Sequence, residues 1–155
     1  MNAVSYRNFD LKIWRTAHGY CAQVQSPDAG DPICDFALPF SADKLENLLT
    51  KLGPARHVRS LEAPAQEAAK TLGSGLFKAI FAHEIGHSLS HSIAAAHRNG
   101  ERLRIRLRLT GVPELANLPW EFLYDERADR SLVLSYKTSI ARYLELAHAA
   151  VPLAV

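Results

Sequence analysis

Methionine occurs once in this 155-residue chain, at its first position, and cysteine only twice, as Cys21 and Cys34. Two cysteines supply neither the framework of a disulfide-stapled small domain nor a four-cysteine zinc site. No apolar run approaches the length that spans a bilayer, and MNAVSYRNFDLKIW lacks the basic-then-apolar layout of a secretory leader. The expected compartment is therefore the cytoplasm, with both thiols reduced; they could pair only if their strands are neighbours. Charge of one sign is also scarce. Eighteen Lys and Arg against 16 Asp and Glu leave a net +2, too little to imply a nucleic-acid partner. There is no internal repeat and no low-complexity tract. What remains is the mix of a globular protein, 48% apolar and 22% charged, in a chain long enough for one real core.

The hydrophobic pattern predicts a single α+β domain over residues 1–146 and a linker-like tail, AHAAVPLAV, over 147–155. FDLKIWR (9–15), YCAQVQS (20–26) and ICDFALPF (33–40) read as three strands of an antiparallel meander, with turn chemistry at Ser26–Gly30. Ser41 caps a helix that buries Leu45, Leu48, Leu49 and Leu52 and stops at Gly53-Pro54. A second helix opens with Pro64 in its first turn. Gly73-Ser74-Gly75 is expected to weaken it before LFKAIF resumes the apolar pattern. A third helix covers about 83–98 and ends at Asn99-Gly100. ERLRIRLRLTG (101–111) is the clearest strand, with Leu103, Ile105, Leu107 and Leu109 on one face and Arg102, Arg104, Arg106 and Arg108 on the other. A helical turn at Pro113–Ala116 follows. The charged turn Asp125–Arg130 separates two extended pieces, EFLY and SLVLS, and SIARYLEL (139–146) is a last strand. The whole reads as a meander, central helices, and a Leu/Arg strand with further extended segments in a mixed sheet.

The strongest enzymatic signal is His83-Glu84-Ile85-Gly86-His87, an H-E-x-x-H pattern that offers zinc two imidazoles and a glutamate to the attacking water. A catalytic zinc needs a third ligand. The stretch resembles the zinc helix of the matrixin metzincins, but His91 follows His87 by four residues, with no glycine turn between. On a continuous helix His83 and His91 lie about 12 Å apart along the axis, too far for one ion that also binds His87. Neither Glu114 nor Glu121 sits in a recognisable ligand helix, and a Met-turn is excluded by composition. Ile85, Leu89 and Ile93 repeat every four residues as a buried stripe, which turns His83, His87 and His91 towards solvent.

Three further constellations carry less chemistry. The arginine row can bind phosphates, yet no glycine-rich loop, RNA-binding signature or stacking aromatics accompany it, so contact with protein is favoured over nucleic acid. Cys21 and Cys34 sit inside strands without the cationic setting of a nucleophile; His18 is close to Cys21 in sequence, but a nucleophile needs a geometry that spacing does not supply. In LPWEFLYD (118–125) Trp120 is expected to anchor a packing corner, with Glu121 holding the row of arginines on a neighbouring strand.

Residues 103–146 resemble the opening of CHAT-domain proteins, the bacterial caspase-like peptidase group. The likeness rests on the Leu/Arg strand, on P-E-L-x-x-L-P-W-E-F-L-Y-D from Pro113 to Asp125, and on the run from Leu132 to Glu145. FDLKIW, LPFSADKLENLL and LFKAIF upstream look similar too. The resemblance implies a region that precedes or opens a caspase-like fold, whose catalytic histidine and cysteine come later. It matches no catalytic, cofactor-binding or metal-ligating residue here, and it makes the segment after LFKAIF an ordinary amphipathic helix. The expected function is a non-catalytic N-terminal scaffold or interaction module of a CHAT-type cysteine peptidase protein, needing no cofactor. Arg102, Arg104, Arg106 and Arg108 would form its contact face. Its partner would be the downstream peptidase domain or another protein, not a membrane, and self-association is left open. The competing expectation is a zinc-dependent hydrolase using His83, Glu84 and His87.

Overall fold

The computed structural model describes residues 3–25, 30–53, 63–136 and 138–145. The three N-terminal strands, β1 (Tyr6–Thr16), β2 (Gly19–Val24) and β3 (Ile33–Phe36), form the expected antiparallel meander. Three helices follow, α1 (Ala42–Leu52), α2 (Ala63–Ile80) and α3 (His83–Arg98), and lead into β4 (Arg102–Thr110). The chain then makes a helical turn, α4 (Pro113–Ala116), a 3-10 turn at Trp120–Phe122, and the small hairpin β5 (Tyr124–Asp125) and β6 (Arg130–Ser131). A second helical turn, α5 (Leu132–Ser135), precedes the last strand, β7 (Ser139–Glu145). The strand order is β3-β2-β1-β4-β7, with β1, β4 and β7 mutually parallel. The architecture is α+β with a mixed sheet.

Strict alternation along the strands decides which face is covered. Phe9, Leu11 and Ile13 of β1 lie in register with Ile105, Leu107 and Leu109 of β4, and all six are fully buried. Ala22 and Val24 extend this face across β2, and Leu72, Leu76, Ile80, Ile85, Leu89 and Trp120 close over it. Burial of such side chains stabilises by about 1.5–3 kcal/mol each, which is why this face fixes the register. The Ser41 Oγ accepts from the Lys44 N–H at 3.1 Å, so α1 starts where the sequence predicts. Its end closes where the Gly53 N–H reaches the Leu49 and Thr50 carbonyls.

Several expectations are corrected. α2 runs continuously through Gly73-Ser74-Gly75, the stretch expected to weaken it, and Gly73 is a contact point: a methyl there would overlap the backbone carbonyl of Phe122. SLVLS is not extended. Ser131 Oγ accepts from the Leu134 N–H and turns Leu132–Ser135 into a helical turn. In EFLY, Trp120–Phe122 is a 3-10 turn and only Tyr124–Asp125 pairs as strand. β1 begins three residues before the expected start, since Tyr6, Arg7 and Asn8 pair with Arg102, Leu103 and Arg104. On α3 the buried set is Ile85, Ser88, Leu89, Ser92, Ala95 and Ala96, with Ile93 only half-buried, so the stripe takes in serines and alanines in place of Ile93. The turn at 26–29, the stop at Pro54, and the boundary at 146 with its tail 147–155 lie outside the described residues. No helix among the described residues is long and apolar enough to cross a membrane.

Candidate functional site

The second face of the sheet is the most distinctive surface of the molecule. Residues Tyr6, Asn8, Asp10, Lys12 and Trp14 of β1 stand opposite Arg102, Arg104, Arg106, Arg108 and Thr110 of β4. On the far side of β4, Ser139, Ala141 and Tyr143 of β7 continue the layer. Towards the other edge it runs through Gln23 and Cys21 of β2 to Ile33 and Asp35 of β3. None of these residues joins the core that the helices close over. Parallel ladders normally bury both faces. Here three parallel strands show a polar, cationic face with no second helical layer among the described residues.

The arginines of β4 are not equivalent. Arg106 forks onto Asp10, with Nε donating to Oδ1 at 2.5 Å and Nη2 to Oδ2 at 2.8 Å. This bidentate, charge-assisted pair neutralises the centre of the row. Arg104 lies over the Tyr6 ring, its guanidinium carbon 4.2 Å from the centroid. Lys12 sits 5.8 Å from the Trp14 centroid. Arg102 is exposed at the end of the row, and Glu101 beside it is taken by Arg7 on the opposite face. Next to Arg104 in register, Asn8 keeps a buried Oδ1 without a hydrogen-bond partner. Ile33 and Tyr143, two of the most exposed large apolar side chains, flank this face on its two edge strands.

Glu121 does not hold the arginine row. It pairs with Arg142, which points to the core side of β7, at the rim of a cavity of about 450 Å³ between the end of α1 and the turn after α4. Glu114, weighed as a zinc ligand, accepts from Arg15 and from the Tyr20 hydroxyl. Burial pushes its carboxyl upward, but the hydrogen bonds from Arg15, its own backbone and Tyr20 outweigh this and hold it below the usual carboxylate range.

His83, Glu84, His87 and His91 are all exposed along α3, on the side opposite Ile85 and Leu89. His83 stands at the α2–α3 junction with φ of +49°, left-handed backbone outside helix geometry. Its side chain therefore does not take the direction that pairs residues i and i+4 in a zinc helix. Gly86 has a packing role: a methyl there would overlap the Phe81 carbonyl at the same junction. Among the described residues no group of three or more His, Cys, Asp or Glu comes together as a metal site requires.

The two cysteines lie on neighbouring strands but on opposite faces, for Cys21 pairs in register with Asp35 and Cys34 with Ala22. Both are free thiols. Burial, then hydrogen bonding to Asp35, pushes the Cys21 thiol upward, the reverse of an activated nucleophile. His18 is exposed in the β1–β2 turn. Sequence reasoning found the arginine row but missed its aromatic and acidic neighbours. Tyr6, Asp10, Trp14 and Tyr143 come from β1 and β7, and only the parallel register carries them beside β4. No family model, curated protein or solved structure matches the chain.

Proposed function

We propose that the chain is a non-catalytic interaction module that docks another protein domain on its arginine face, of the kind that precedes a CHAT-type caspase-like peptidase region in a bacterial, cytoplasmic protein. The observation that carries this proposal is the face of the parallel strands β1, β4 and β7 that no helix among the described residues covers. Parallel ladders are normally covered on both sides, and a docked domain is a layer that would cover this one. Arginines suit such a contact because the guanidinium is weakly hydrated and recognises planar partners. The free thiols of Cys21 and Cys34 suit a reducing compartment.

A zinc hydrolase built on His83, Glu84 and His87 is the competing proposal, and one experiment separates the two. The untagged chain, purified without added metal, is analysed for zinc and incubated with casein and with a peptide library, with and without supplied zinc. No stoichiometric zinc and no cleavage are expected in either condition. Stoichiometric zinc lost on His83→Ala, or cleavage lost on Glu84→Gln, would overturn the non-catalytic assignment.

A further inference from the structure

We infer that the open face takes an acidic protein segment with carboxylates at alternating positions, and that Arg102, Arg104 and Lys12 are the residues that hold it. The inference rests on the docking function proposed above and names the chemistry of its partner. Five cations, Lys12 and the four arginines, share this face with two carboxylates among the described side chains, Asp10 and Asp35. One of the two, Asp10, is already committed to Arg106. Among the described side chains the cations of this face therefore outnumber its carboxylates, with Glu145 placed opposite Thr110 at the far end of the β4–β7 ladder. Like charge disfavours a second copy of the same face as occupant.

The internal Asp10–Arg106 fork shows how a carboxylate sits on this surface. Arg104 sits over the Tyr6 ring at 4.2 Å, and a guanidinium so placed can still offer its N–H groups to a planar oxyanion. Cationic side chains at alternate positions of one strand recur about every 6.6 Å, the same repeat as alternate residues of an extended partner segment. Tyr143, 47% exposed on the edge strand, adds an apolar contact beside the row. Nucleic acid fits less well. Single-strand binders offer successive open rings for base stacking, whereas the Tyr6 ring is covered by Arg104 and Trp14 lies beneath Lys12.

The test is a titration of the full chain with a fluorescent peptide of alternating Glu and Thr at low and moderate salt. The wild-type chain should bind at low salt and weaken as salt rises. The double variant Arg102→Glu/Arg104→Glu should bind about tenfold more weakly or worse, and Arg102→Ala alone about threefold more weakly. Asp10→Asn, which frees Arg106, should bind more tightly. Lys51→Glu on α1, the same kind of charge reversal on the covered side, should change little. Absence of peptide binding at low salt, or equal binding by the double variant, would overturn the inference. So would tighter, equally arginine-dependent binding of an oligothymidylate of matched charge, which would assign the face to nucleic acid. Failure of this titration removes the acidic partner alone, because the non-catalytic assignment stands or falls by the cleavage and zinc measurements.

Discussion

Gly73→Ala is expected to lower the stability of the fold by about 3 kcal/mol, although the exchange improves helix propensity by about 1 kcal/mol in the middle of α2. The two effects have opposite signs, and the contact geometry decides. The added methyl would overlap the carbonyl oxygen and carbon of Phe122, both backbone atoms of the 3-10 turn. Backbone cannot rotate aside as a flexible side chain can, so either α2 or the turn must shift. That turn also carries Trp120, which fills the core above β4, and a shift would loosen the packing there. For a chain of this size, 1 kcal/mol moves the midpoint of thermal unfolding by about 2–4 °C, so a fall of roughly 6–12 °C is expected. Thr71→Ala, on the exposed side of the same helix, should leave the midpoint unchanged or slightly raised. Circular dichroism melts of the two variants check the contrast, and a stabilised Gly73→Ala would mean that the α2 contact is misjudged.

Trp120→Ala should cost more, about 3–5 kcal/mol, the range for emptying the site of a large buried aromatic. Trp120 has no exposed surface, and its Nε1–H donates to the Leu115 carbonyl at 2.8 Å. The indole thus ties the 3-10 turn to α4 by one hydrogen bond while its rings pack into the core. Trp120→Phe keeps most of the volume and leaves the Leu115 carbonyl without its donor, so about 1–2 kcal/mol is expected. Urea denaturation of the two variants separates the packing contribution from the polar one. Equal losses would mean that the hydrogen bond dominates and would contradict the packing account. The step between α4 and the hairpin β5–β6 is thus held by a single tryptophan anchor.

How much of this was legible from the chain depends on the range of the signal. β4 was readable residue by residue, because its alternation is strict and one face is fully buried. The cap of α1 at Ser41 was equally local. The glycines of α2 were not, since their significance comes from Phe122, far along the sequence and brought close only by the fold. SLVLS alternates weakly enough that one capping hydroxyl, Ser131, decides for a helical turn. Glu121 was expected on the arginine row and instead reaches Arg142, because the side of β7 that faces it is set by the β4–β7 register. HEIGH satisfied a pattern of letters, but the pattern contains neither the left-handed backbone at His83 nor the absence of a third ligand within reach among the described residues. The face itself was half visible. The arginines could be read from the sequence, while Tyr6, Asp10 and Tyr143 required the parallel pairing of β1, β4 and β7.

The proposal that the arginine row serves a partner rather than the fold makes a prediction about stability as well as binding. Adjacent cations on neighbouring positions repel, and a row maintained against that repulsion should not be improving the free chain. Arg104→Glu loses the contact with Tyr6, worth about 0.5–1 kcal/mol at an exposed site, but relieves the repulsion with Arg102 two positions along β4. The most direct measurement is the thermal midpoint of Arg102→Glu/Arg104→Glu against the wild-type chain at low ionic strength. A midpoint within about 2 °C of wild type, or above it, is the expected result. A fall comparable to that of Gly73→Ala would show that the row holds the sheet together and would contradict the docking role.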